Sequence, residues 1–191
     1  MKHFDYIIVG AGSAGCVLAK RLVEAGHKTL LLEAGGRDNY HWVHIPMGYL
    51  YCIDNPRTDW QFKTQPQIGL NNRSLLYPRG KILGGCSSIN GMLYLRGQAA
   101  DYDHWRQLGL VGWGWDDVLP YFKKSENNEC FGANHYRGVN GPLNVGYLRS
   151  PSPLNKAFIQ ACNEQGIPFN PDYNGAHQFG VSHGQVTQKG G

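Results

Sequence analysis

Three glycines, Gly10, Gly12 and Gly15, stand in the order G-x-G-x-x-G directly after an apolar run, Tyr6 to Val9, and open a helical pattern that ends at Gly26. A second apolar run, Thr29 to Leu32, follows and closes on Glu33. Strand, glycine turn, helix, strand and terminal acid in one short unit form the dinucleotide-binding arrangement. The chemistry is anion capture without a basic side chain. Gly10 permits the tight turn, Gly12 lets the backbone approach a diphosphate, and Gly15 removes a side chain where helix and strand meet. The helix start, with Ser13 and Ala14 in its first turn, then turns its N–H groups and positive dipole end toward the phosphates. Glu33 is placed to accept from ribose hydroxyls, and its charge disfavours a 2′-phosphorylated ligand, an argument that the nearby Arg37 weakens. The same glycines also fit an ordinary tight turn in an α/β protein.

A second glycine-rich segment runs Arg79-Gly80-Lys81-Ile82-Leu83-Gly84-Gly85-Cys86-Ser87-Ser88-Ile89-Asn90-Gly91-Met92-Leu93. Paired glycines let a backbone lie against a flat ligand face, and Ser87, Ser88 and Asn90 supply hydroxyl and amide groups for polar edges or a diphosphate. On the residues alone, a structural turn with serine caps and a ligand cradle are both open. Two glycine cradles separated by a long loop favour a large, extended cofactor, and flavin adenine dinucleotide (FAD) fits better than a nicotinamide dinucleotide.

The elements around these segments follow from periodicity and punctuation. The stretch 35–79 reads as irregular, rich in Gly, Pro, Asn and aromatic residues, and loops of that length are commonly functional lids or ligand-covering excursions. Asp101 to Leu108 and Trp115 to Ser125 read as helices, with Asp101 and Asp116 as N-caps and Trp113 and Trp115 as packing residues. Gly141-Pro142 marks a turn, Leu143 to Tyr147 alternates as a strand, and a helix starts at Pro153 and stops at Gly166. Gln185-Val186-Thr187 reads as a further strand. A second domain is expected to begin near Gly141.

Composition narrows the function classes. The chain has 191 residues, 41% of them hydrophobic, enough for one good-sized core or one domain plus part of another. Its 18 Lys and Arg are scattered and the formal charge is +4, so neither nucleic acid nor an anionic membrane is indicated as partner. Five cysteines without a C-x-x-C argue against a disulfide framework or a zinc site and for a reducing compartment. No apolar stretch approaches spanning length and the first strand lies close to Met1, so a cytoplasmic protein without a signal peptide is expected, with peripheral contact to the inner membrane still open. A sheet begun by one βαβ unit needs more strands than 35–191 offers, and Lys189-Gly190-Gly191 closes no element. The chain is therefore expected to be incomplete.

The second glycine segment resembles the first signature of the glucose-methanol-choline (GMC) oxidoreductase family, flavoenzymes that oxidise alcohols. The resemblance continues through Tyr94-Leu95-Arg96-Gly97, Asp101-Tyr102-Asp103-His104-Trp105, Gly112-Trp113 to Phe122, Gly141-Pro142-Leu143 and Gln185 to Lys189, and it covers essentially the whole chain. It is greatest toward the choline-dehydrogenase-like alcohol dehydrogenases. It implies an α/β fold: a three-layer, Rossmann-like FAD/NAD(P)-binding domain over residues 1–140, then the start of an α+β substrate-binding domain over 141–191. By resemblance, Gly10, Gly12, Ser13, Ala14 and Gly15 contact the FAD diphosphate and Glu33 holds the adenosine ribose. Ile82, Gly84 and Gly85 line the approach to the flavin, and Asn90, Gly91, Met92 and Leu93 run beside its ring system. Some family members tether FAD through a histidine just before the asparagine. Ile89 stands there in this chain, and a branched hydrocarbon forms no such bond, so FAD is expected to be non-covalent.

In the family a histidine takes the alcohol proton while a hydride passes from the carbinol carbon to flavin N5. That histidine lies far toward the C-terminus, and none of the eight histidines here has a matching context, so no catalytic residue is assigned. His41 and His44 are spaced like a helical ligand pair but lack a third ligand, so no metal is expected. The substrate class is an alcohol, choline or an aliphatic primary alcohol, and the electron acceptor is left open. A truncated or split-gene product that binds nucleotide, or pairs with a C-terminal half without catalysing anything, is the alternative. A nicotinamide-dependent dehydrogenase would explain the first glycine motif and leave the second unexplained.

Overall fold

The computed structural model describes residues 3–189, so the final Gly190-Gly191 noted above lies outside the described residues. The chain divides into two compact units, one up to Gly91 and one from Met92, each treated by itself.

The first unit opens with β1 (Tyr6–Val9), α1 (Ser13–Glu24) and β2 (Thr29–Leu32). β1 and β2 pair in parallel, in the register Tyr6 to Thr29 through Val9 to Leu32, with α1 as the crossover that a parallel pair requires. This is the α/β arrangement expected. α1 ends on Ala25, and the N–H groups of Gly26 and His27 close its last turn on the carbonyls of Val23 and Leu22. Ile8 is buried, whereas Ile7, Val9, Val17 and Leu18 are exposed, so the βαβ unit leaves apolar surface uncovered.

The stretch read as irregular is in fact built from short turns. It holds two 3-10 turns, His41–His44 and Pro46–Gly48, then α2 (Tyr49–Cys52), then an antiparallel pair of β3 (Phe62–Lys63) and β4 (Leu76–Tyr77). It packs with the second glycine segment around the buried trio Cys52, Ile82 and Ile89, covered by Tyr40, Trp42 and Val43. Asp59, buried at 2% exposure, organises the return of the chain. Its carboxylate accepts from the backbone N–H groups of Asp54 (2.8 Å), Gln61 (3.0 Å) and Arg79 (2.9 Å). Burial alone would push its pKa up, but those three donors and the Arg79 charge hold it below the ordinary carboxylate range.

The second unit carries α3 (Ala99–Gln107), α4 (Trp115–Ser125), β5 (Glu126–Asn128), β6 (Leu143–Tyr147), α5 (Pro153–Glu164) and β7 (Gln185–Val186). The expected caps move. Gln98 and Gly114 occupy the N-cap positions, and Asp101 and Asp117 sit three residues on, where their carboxylates accept from the Gln98 N–H (2.7 Å) and the Gly114 N–H (3.0 Å). An acid at that position satisfies a backbone donor and complements the dipole at once. Trp115 packs between Tyr102 and Phe122, with ring centroids 5.7 and 6.2 Å away, and Trp113 meets Trp105 edge-on. Ser152 caps α5 through the Leu154 N–H, so Pro153 takes the first helical position, where no N–H is needed.

β5 and β6 pair in parallel and β6 and β7 antiparallel, one sheet that straddles residues 140 and 141. Behind it lies a buried polar core. Arg96 pairs with Glu126 at 2.7 Å and donates to the Tyr136 carbonyl, while Arg137 makes ion pairs with Glu126 and Asp172. Asn174 accepts from the Arg96 N–H and donates to the Tyr94 carbonyl, which fixes residues 94–96 against 173–174. Among the described residues, no helix is long and apolar enough to cross a membrane.

Candidate functional site

The first unit contains a cleft of about 770 Å³. Both glycine segments reach it: Gly10, Gly12, Ser13, Ala14 and Gly15 from the first, Gly80, Gly85 and Cys86 from the second, with Glu33, Trp60 and Arg79 on its walls. The two segments touch through their backbones. The Gly84 N–H donates to the Ala11 carbonyl at 2.8 Å. A Cβ added at Gly85, which has φ +57°, would lie 2.9 Å from the Gly12 Cα. Only a residue without a side chain allows this approach. Gly15 meets the same limit inside α1, where an added Cβ would fall 1.9 Å from the Gly10 carbonyl oxygen.

α1 begins at this contact with no acid in its first turn and no side-chain cap on Gly12. Its leading N–H groups therefore have no intrahelical acceptor and no competing carboxylate of their own, the condition under which a helix start binds an anion. Glu33 is used differently from the sequence expectation of a ribose contact alone. Its Oε2 accepts from the Ala11 N–H at 2.7 Å and its Oε1 from the Gly35 N–H at 2.8 Å, which ties the end of β2 to the glycine turn. Each carboxylate oxygen has a second lone pair, so a ribose hydroxyl can still be accepted.

The second segment forms a tight turn beside the cleft. Ser87 Oγ donates to the Gly84 carbonyl (2.6 Å) and Ser88 Oγ to the Leu83 carbonyl (2.8 Å), so the serines brace the 3-10 turn Gly85–Ser88 from within, without a side-chain cap at Gly84. Gly85 and Cys86 meanwhile line the cleft. Ile82 and Ile89 turn their side chains into the core with Cys52. Gly84 joins the two segments through its N–H, and Gly91 lies near the Tyr49 ring. Met92 and Leu93 belong to the second unit, where the Met92 carbonyl accepts from the Thr187 N–H and Leu93 bridges Val186. The structure thus gathers Gly10, Gly12, Ser13, Ala14, Gly15, Glu33 and Gly85 around the cleft, and Ile82, Gly84, Asn90, Gly91, Met92 and Leu93 do not line it.

Sequence reasoning did not assign the two walls. Trp60 and Arg79 are joined by a backbone hydrogen bond, Trp60 N–H to the Arg79 carbonyl at 2.9 Å, so the loop residue and the residue before the second segment arrive together. Lys81 lies over the Trp60 ring at 4.6 Å and Phe62 stacks parallel to it. The position of Arg79, directly ahead of Gly80, was the available signal. His41 and His44 fall on a 3-10 turn in which His44 contacts the Asp38 carbonyl. Among the described residues, no group of three or more His, Cys, Asp or Glu is placed to hold a metal ion.

Comparison with known proteins now adds lineage to geometry. The family model described as GMC oxidoreductase matches residues 4–191. The chain is 51% identical over 189 residues to the alcohol dehydrogenase [acceptor] of Pseudomonas putida, covering 98% of this chain and 34% of that protein. It is 48% identical over 193 residues to the oxygen-dependent choline dehydrogenase of Vibrio vulnificus, covering 100% of this chain and 34% of that one. Among solved structures, pyridoxine 4-oxidase from Mesorbium loti superposes with a TM-score of 0.90 at 33% identity, over 98% of this chain and 37% of that one. An FAD-dependent oxidoreductase from Chaetomium thermophilum gives 0.84 at 32% identity, over 98% and 34%. The chain spans about a third of the length of these curated relatives. With the two glycine segments meeting on one cleft and a family match that runs through both units, the chain belongs to the GMC oxidoreductase family.

Proposed function

We propose that this chain is the FAD-binding part of a flavoprotein that oxidises primary alcohols, with choline or an aliphatic alcohol as substrate. The observation that carries the reading is the backbone contact between Gly12 and Gly85, which puts both glycine segments on one cleft. The residues present fit the cofactor. The open start of α1 suits a diphosphate, Glu33 keeps lone pairs for ribose hydroxyls, and the Gly85-Cys86 backbone offers a surface without a protruding Cβ at Gly85. A flavin held by these residues would supply a hydride acceptor for the alcohol's carbinol carbon.

The part of this chain in that reaction is to bind and orient. Gly10, Gly12, Ser13, Ala14 and Gly15 hold the diphosphate, Gly84 and Gly85 fix the approach to the flavin, and Asn90 and Gly91, outside the cleft described above, lead on toward the ring system. Ile82 serves through its backbone, since its side chain is in the core. Ile89 is likewise buried hydrocarbon, which supports dissociable FAD. In this reading residues 1–140 serve the cofactor and 141–191 begin the substrate-binding domain.

A second reading, a nucleotide-binding piece that pairs with another chain and catalyses nothing, draws support from the exposed Ile7, Val9, Val17 and Leu18 of the βαβ unit. The test is flavin absorbance of the purified protein as it occurs in the cell, followed by anaerobic addition of choline or a primary aliphatic alcohol. Bleaching of the oxidised-flavin absorbance supports the enzyme. Colour without bleaching by any alcohol supports the binding piece.

A further inference from the structure

We infer that Arg79 is the cationic contact for the diphosphate of the dinucleotide in this cleft, an inference that rests on the FAD reading above. The charge inventory makes the case. Among the described residues that line the cleft, Glu33 and Arg79 carry charge, one negative and one positive, facing a ligand whose diphosphate is doubly negative, and Lys81 lies behind the Trp60 wall. The start of α1 supplies dipoles, but it does so beside a carboxylate that already sits on the Ala11 N–H at 2.7 Å. A helix terminus has the strength of about half a charge, so it does not by itself offset both the carboxylate and a second phosphate charge.

Arg79 is held for this task more firmly than an exposed arginine usually is. Its backbone is pinned on both sides, the N–H on the Asp59 carboxylate at 2.9 Å and the carbonyl on the Trp60 N–H at 2.9 Å. Its guanidinium lies over the Tyr77 ring, 3.8 Å from the centroid, and spends one nitrogen, Nη1, on the Pro78 carbonyl at 2.6 Å. The Asp59 carboxylate, buried, is engaged by three backbone N–H groups, and among the described residues no ion pair joins it to the guanidinium. Nε and Nη2 are left to present a planar, charged fork to phosphate oxygens, the geometry in which arginine exceeds lysine. Stacking on Tyr77 lowers the side-chain entropy lost when that fork is engaged.

The test is a fluorescence-quenching titration of the apoprotein, in the full chain as it occurs, with three probes: FAD, ADP and riboflavin. Arg79→Ala is expected to weaken FAD and ADP at least about tenfold, the effect of one charge-assisted contact, and to leave riboflavin, which has no phosphate, unchanged. Raising salt from about 50 to about 500 mM should weaken FAD less in Arg79→Ala than in wild type, because one screened attraction is gone. Arg79→Lys should fall between the two, and Arg73→Ala, on the hairpin away from the cleft, should match wild type. An unchanged melting temperature for Arg79→Ala separates the effect from misfolding. FAD and ADP affinities and salt slopes in Arg79→Ala equal to wild type, with wild type binding both, overturn the assignment of Arg79 and leave the FAD reading intact. A well-folded wild type that binds neither FAD nor ADP overturns the FAD reading and this inference with it.

Discussion

Glu33 accepts two backbone N–H groups at once, from Ala11 at 2.7 Å and from Gly35 at 2.8 Å, so one carboxylate fastens the glycine turn to the end of β2. The site is thereby shaped before any ligand arrives. Glu33→Gln keeps the shape and volume but turns an amide NH₂ toward one of the two donors. The expected loss is about 1–3 kcal/mol in unfolding free energy, the cost of an unsatisfied backbone group in a half-buried place. Urea melts of the ligand-free protein check this. A variant as stable as wild type that binds FAD poorly would assign the carboxylate to the ligand alone.

Gly85 and Gly26 both have positive φ, +57° and +87°, but only Gly85 has a backbone neighbour within reach of an added Cβ. Gly26→Ala should therefore cost about 1 kcal/mol through left-handed strain and leave flavin content unchanged. Gly85→Ala should cost more and strip flavin from the purified protein, because the second segment must move off Gly12. Equal flavin content in the two variants would contradict the contact as a binding determinant.

Cys86 is exposed on the cleft, whereas Cys52 is buried in the core with its thiol pKa pushed up by burial, an effect that a Thr58 hydrogen bond partly offsets. Alkylation by iodoacetamide, mapped by peptide mass, should label Cys86 in apoprotein and Cys52 only after unfolding. Saturating FAD should slow Cys86 labelling at least about tenfold, by closing the route through which the thiolate is reached. Labelling of Cys86 at the same rate with and without FAD would put the cofactor elsewhere.

Asp59 titrates below the ordinary carboxylate range because its three backbone donors and the Arg79 charge outweigh burial. A pKa lowered by folding adds stability at pH values above the unfolded-state pKa of about 3.9, and the contribution is lost as pH falls through the folded-state value. The stability gap between wild type and Asp59→Asn should thus be constant from about pH 7 to about pH 5 and narrow in acid below about pH 3.9. Denaturant midpoints across that range check it. A gap that widens in acid would contradict the assignment of the charged form as the stabilising one.

The parts of this protein that were legible in its sequence are those governed by local rules. The turn at Gly10 to Gly15, the strands at Tyr6–Val9 and Thr29–Leu32, and the helices at Trp115–Ser125 and Pro153–Glu164 follow from glycine placement and periodicity. What stayed hidden depends on partners distant in the chain. Glu33 read as a ligand contact because nothing in its own neighbourhood shows that residue 11 would present an N–H to it. The stretch 35–79 read as irregular because its order comes from side chain-to-backbone bonds on Asp59, which have no period. Asp101 and Asp116 read as caps by residue type, yet Gln98 and Gly114 take those positions because an acid three residues into the helix reaches back to the cap N–H. Arg79 and Trp60 are neighbours through the β3–β4 pair, whose strands, one ending at Lys63 and the other starting at Leu76, lie apart in the chain and so leave no local signal.

The central claim is that two backbone stretches, around Gly12 and Gly85, together hold FAD. The direct measurement is the flavin content of the protein purified as it occurs in the cell, with the pigment released by acid precipitation and identified by chromatography. About one FAD per chain, all of it in the acid supernatant, is the predicted result. A well-folded protein that is isolated without pigment and takes up no FAD on titration would contradict the account.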